Sequence, residues 1–155
     1  MNYLRLWKLG SALVAAGVGL VLSASGTKKR IIDLQNQRET EKRNWEKNQN
    51  EKLLAGIQSF HDTTGALLLD VREKEDYAAG HIPGSTFAPL RDIVSAVEAI
   101  NPDRSTPIFI YCYRGRRSGY AVSMLKDAGY ADVTSIGGMD WYTGVTVKSD
   151  NSTKL

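Results

Sequence analysis

Three short apolar runs, ALLLDV, PIFIYC and ADVTSI, recur along the second half of this chain, and each is separated from the next by a stretch with helical spacing. Runs of this length suit strands buried on both faces, and that surrounding is provided by a parallel sheet covered on both sides. EKEDYAAGHIPGS predicts a helical turn stopped by Gly80, then a loop held by Pro83 and Gly84. LRDIVSAVEAI sets Leu90, Ile93, Val94, Val97 and Ile100 on one helical face, and GYAVSMLKDAGY is a helix ended by Gly129. Strand, helix, strand, helix in this rhythm predicts an α/β fold around a mostly parallel sheet.

With 155 residues the chain has room for one compact domain and an appendage. The appendage lies at the front. Arg5 and Lys8 precede an uncharged run from Leu9 to Thr27, so residues 1–26 are expected to be a signal peptide or a membrane anchor. Ser23 and Ser25 offer a cleavage pattern, while Lys28, Lys29 and Arg30 resemble a stop-transfer flank, and the two outcomes stay open. Either gives an exported or membrane-anchored protein of the cell envelope, with the extracytoplasmic side favoured although the flanking charges pull the other way. Residues 27–52 are charged and amide-rich, which predicts a solvated helical spacer. From Leu53 the positions Leu53, Leu54, Ile57 and Phe60 would cover a core, and the polar tail 145–155 is expected to fray. The charge of +3, from 20 basic and 17 acidic side chains, is too nearly balanced to make nucleic acid a leading partner.

The chemistry concentrates in YCYRGRRSG. Cys112 is the single cysteine, so it has no disulfide partner in its own chain, and it stands where a strand ends and a helix begins. In open parallel sheets that edge binds ligands. The loop from Tyr113 to Arg117 would turn several backbone N–H groups toward the sulfur, and the helix after it adds the positive end of its dipole. Both favour the ionised sulfur, as do Arg114, Arg116 and Arg117, which would also attract an anion. A buried structural cysteine is the plainer alternative, since free cysteine is among the most buried residue types. No His/Cys spacing points to zinc, and no cofactor is expected. His61 reads as a surface loop residue and His81 as a turn-fixing one.

Taken together, LLLDVREKEDYAAGHIPGS and IFIYCYRGRRSGYAVSMLKDAGYADVTSIGGMDW resemble the rhodanese, or sulfurtransferase, family over residues 53–144. The resemblance rests on the Asp70, Val71, Arg72 triplet, the GHIPGS loop, the cysteine loop ending in Ser118 and Gly119, and the GG with Trp141 after it. It implies a rhodanese-like three-layer fold with a five-stranded, mostly parallel sheet. It further implies that Cys112 is a catalytic residue carrying a sulfane sulfur as a persulfide, from a small anionic donor such as thiosulfate to cyanide or a thiol. Tyr113, Arg114, Gly115, Arg116, Arg117 and Ser118 are then expected at the substrate, with Arg116 and Arg117 on its anionic end. Asp70 and Arg72 would support the neighbouring loop, Gly137 and Gly138 would let the chain pass close to the cysteine loop, and Trp141 would wall the pocket.

The same loop admits two rivals. Dual-specificity phosphatases of a related fold place an arginine after a cysteine and five intervening residues; here that place is Ser118, with Arg117 one short. The shorter loop encloses a smaller anion site, which favours sulfur over a phosphoryl group. A persulfide-carrying or partner-binding module in a sulfur relay is the rival from another class.

Overall fold

The computed structural model describes residues 24–149. By its internal contacts the chain divides between Arg43 and Asn44. A single helix, α1 (Ala24–Asp62), runs through that division, so the spacer expected over 27–52 and the apolar-faced helix expected from Leu53 are one element. In the first unit its side chains are almost all exposed, Ile31, Ile32 and Leu34 among them. The expected signal or anchor segment lies, apart from its last residues, outside the described residues. Among those residues, no helix is long and apolar enough to cross a membrane.

The second unit contains the expected α/β fold. Its strands are β1 (Leu67–Asp70), β2 (Thr86–Phe87), β3 (Ile108–Cys112) and β4 (Val133–Gly138), hydrogen-bonded in the order β2-β1-β3-β4, with every pairing parallel. The described residues thus form four strands rather than five. Helices α2 (Lys74–Ala79), α3 (Ile93–Ile100) and α4 (Arg116–Asp127) lie between them in sequence, and 3-10 turns at Leu90–Asp92 and Met139–Trp141 complete the set. Helix α2 stops at Gly80 as expected. Helix α3 starts only at Ile93, because Leu90–Asp92 tightens into the 3-10 turn.

Strand side chains alternate between two cores. Leu69, Ile108, Ile110 and Cys112 pack with Ile93 and Val97 of α3 and with Ala121 and Leu125 of α4. Leu68 and Tyr111 face the other way, onto Leu53, Ile82 and Ile136, with Ile57 and Phe60 of α1 beside them. The sheet is therefore a middle layer between α3 and α4 on one side and residues 53–60 of α1 on the other.

Of the tail expected over 145–155, the described residues end at Ser149, and two of them are held by backbone bonds. His81 and Val147 exchange both backbone hydrogen bonds at 2.9 Å, and the Ser149 N–H reaches the Ala78 oxygen at 3.3 Å. This antiparallel bridge satisfies backbone groups that a loose tail would leave to water. His81 is buried, its ring stacked on Tyr77 at 3.8 Å and its Nδ1 2.9 Å from the Tyr77 carbonyl, so it does fix this turn; His61 is exposed but belongs to the last turn of α1 rather than to a loop.

Candidate active site

The carboxyl end of β3 sits between β1 and β4, so Cys112 ends a central strand and its loop emerges at the sheet edge. The β3–β4 register shifts there: Ile110 faces Ser135 while Tyr111 faces Gly137, which leaves Ile136 as an extra residue. Such a bulge bends the strand and re-aims the residues beyond it. It carries Gly137, at φ +113°, and Gly138 along the cysteine loop. A Cβ at Gly138 would stand 2.5 Å from both the Arg114 Cα and the Tyr113 oxygen, so the close passage expected of the GG pair is real and requires glycine at 138.

The loop turns at Gly115, whose φ of +86° lies in the left-handed region. That turn aims the Gly115 N–H at the Cys112 Sγ, 3.1 Å away. Several amides around the sulfur were expected, and the structure provides this one within hydrogen-bond distance. Helix α4 begins at the next residue. Cys112 is 1% exposed, yet it lines an open cavity of about 420 Å³ with Leu90, Tyr113, Arg114, Arg116, Arg117 and Tyr120. It is thus both a core residue and a wall of the cavity.

Of the residues expected at a substrate, Tyr113, Arg114, Arg116 and Arg117 line this cavity, and Gly115 contributes its N–H to the sulfur. Ser118 does not line it. It is fully buried, and its hydroxyl contacts the Gly115 oxygen at 2.9 Å, the Ser135 hydroxyl at 2.7 Å and the Gly137 oxygen at 3.3 Å. The reason is its place two residues into α4, which points it inward at β4, so it ties loop, helix and strand together. Trp141 does not wall the cavity either. Its ring meets Trp45 of α1 edge-on with centroids 4.6 Å apart.

Asp70 and Arg72 form a buried pair at the end of β1. Arg72 Nη2 donates to Asp70 Oδ2 at 2.7 Å and to the Gly80 carbonyl at 2.7 Å, while the Arg72 backbone N–H donates to Asp70 Oδ1 at 3.0 Å. The pair holds the segment from β1 to the end of α2, as support was expected to do. Burial alone would lower the Arg72 value, and the Asp70 carboxylate more than offsets it.

Two cavity residues escaped the reading of the sequence. Tyr120 lies one turn beyond Arg116 on α4, a spacing that would have revealed it. Leu90 arrives from a 3-10 turn more than twenty residues away and carries no local signal. The acids facing the arginines were missed too: Arg114 Nε donates to Asp140 Oδ2 at 2.8 Å, and Arg117 Nη1 is 3.8 Å from Glu73 Oε1. Hydrogen bonds from Arg114 and then Tyr113 hold Asp140 below the ordinary value of 3.8, and the same carboxylate raises Tyr113 above 10.0. Among the described residues no cluster of histidine, cysteine, aspartate or glutamate gathers in a metal-binding group.

A parallel-sheet domain with a cysteine at a strand end, an amide on its sulfur and arginines around its cavity defines a class that the comparisons identify. The family model for the Rhodanese-like domain matches residues 50–144, and the chain belongs to that family. It is 34% identical over 71 residues to "Thiosulfate sulfurtransferase PspE" of Escherichia coli K12, covering 46% of this chain and 68% of that one. It is 38% identical over 81 residues to "Putative sulfur carrier protein YrkF" of Bacillus subtilis 168, covering 51% of this chain but only 42% of that one. A solved structure described as "rhodanese with anions from E. coli" superimposes with a TM-score of 0.51 at 31% identity, over 54% of this chain and 99% of that one. Membership supports a sulfur-transfer role for this chain.

Proposed function

We propose that this protein is a thiosulfate-type sulfurtransferase working through a persulfide on Cys112. The observation that carries the reading is the Gly115 N–H directed at the Cys112 sulfur at 3.1 Å beside an arginine-lined cavity. The deprotonated Cys112 sulfur attacks the outer sulfur of thiosulfate. The S–S bond of the donor breaks, its electron pair leaves with sulfite, and a new S–S bond joins the transferred atom to Cys112. An N–H donor to the Cys112 sulfur stabilises the thiolate from which the cycle starts and to which it returns. Cyanide or a thiol then attacks the outer persulfide sulfur, releasing thiocyanate or a new persulfide and returning Cys112. The name of PspE, and the description of the E. coli structure as a rhodanese with anions, support this choice of donor.

The test is a single turnover. Protein treated with thiosulfate is expected to gain the mass of one sulfur atom and to lose it when cyanide is added, and Cys112→Ser is expected to gain nothing. No mass gain by intact, reduced protein would overturn the reading.

The match to YrkF favours a second reading, in which the persulfide is handed to a partner. A carrier would form the same persulfide yet turn over slowly with small acceptors, so steady-state rates with cyanide separate the two. For location, the leader-like run from Leu9 to Thr27 supports a domain exported or anchored at the cell envelope. The mass of the mature N-terminus in fractionated cells tests that: loss of the leader means release, and an intact chain in membranes means an anchor.

A further inference from the structure

The three arginines at the cavity differ in what faces them. Arg116 is exposed and has no ion pair among the described residues. Arg117 stands at the long distance of 3.8 Å from Glu73, which is itself mostly exposed. Arg114 is paired at 2.8 Å with Asp140, whose side chain is 20% exposed against 67% for the arginine.

Asp140 has two separate tasks, carried by different atoms. Its backbone N–H donates to the Tyr113 oxygen at 2.9 Å and so fixes the turn against the cysteine loop. Its carboxylate bonds Arg114 and stabilises the Tyr113 phenol proton. The backbone bond does not use the side chain, so the carboxylate is not needed to hold the turn. What it changes is the charge: a carboxylate against a guanidinium cancels most of the field that a ligand in the cavity would feel from Arg114. An anion entering the cavity would then meet Arg116 and Arg117, with Arg114 neutralised.

Resting on the reading of this cavity as the donor site, we propose that Asp140 limits the anion affinity of the site by neutralising Arg114. A site with all three cations free would hold sulfite more tightly as well, and release of the first product would suffer.

Asp140→Asn keeps the backbone N–H and removes the charge. The experiment compares it with wild type for sulfate binding by calorimetry and for the KM of thiosulfate, each at low and high ionic strength. Sulfate affinity is expected to rise, and KM to fall, by about two- to fivefold at low salt, the range of a partly exposed charge pair, with the difference shrinking as salt is added. Adding Arg114→Gln to Asp140→Asn is expected to bring both values back toward wild type. Unchanged or weaker sulfate binding in a folded Asp140→Asn protein would overturn the proposal, as would a gain that persists in the double variant. Asp140→Ser makes the same measurement if the asparagine variant folds poorly. Calorimetry needs no turnover, so failure of this inference is distinct from failure of sulfur transfer.

Discussion

Cys112 shows how one side chain can belong to a core and to a cavity. Its neighbours Ile110 and Ile93 are fully buried, while one side of the sulfur meets the amide of Gly115 and the cavity beyond. The buried Asp70–Arg72 pair is costly to disturb. Arg72→Met would leave the Asp70 carboxylate buried with its main partner gone, and a loss of about 3–5 kcal/mol in unfolding free energy is expected in urea titration. Asp140 makes a pH-dependent contribution of known sign. Its value is lowered in the folded state, so the stabilisation is complete above the ordinary value of 3.8 and is lost as pH falls through the lowered one. Wild type and Asp140→Asn are therefore expected to differ in Tm near neutrality and to converge as the solution is acidified below about pH 3.8.

At the level of elements, the cysteine loop is held from behind by β4. Gly138 admits the loop backbone, Ser118 bonds across to Ser135 and Gly137, and the Asp140 N–H donates to the Tyr113 carbonyl. Gly138→Ala is expected to push Tyr113 and Arg114 away and to lower kcat/KM for thiosulfate at least tenfold, because misplacing reacting groups by about 1 Å costs on the order of a hundredfold. Ser118→Ala leaves the buried Gly137 carbonyl and the half-buried Gly115 carbonyl without that hydroxyl, and a loss of about 1–3 kcal/mol is expected by thermal melting. The strands were readable because consecutive apolar residues such as Leu67, Leu68 and Leu69 require cover on both faces, whichever partner provides it. The β4 bulge was not, since an extra residue is defined only against the strand opposite. Likewise Trp45 looked like one apolar residue in a charged stretch, and its partner lies ninety-six positions away at Trp141.

For the whole molecule, the residues that build the site all lie from Asn44 onward, in the unit that contains the family match. A chain beginning at Asn44 is thus expected to melt cooperatively near the full-length Tm and to accept one sulfur from thiosulfate, checked by circular dichroism and mass. By itself the sequence determined the alternation of the three longer strands with helices and the place of the cysteine at a strand end, because both follow from local sterics and from the period of the side chains. Only the tertiary structure decided which arginine stands free and which is neutralised, that Ser118 turns inward, and that Leu90 and Tyr120 complete the cavity. Those outcomes depend on distances between residues remote along the chain, and such distances exist only once the register of β3 on β4 and the packing of α4 have been set.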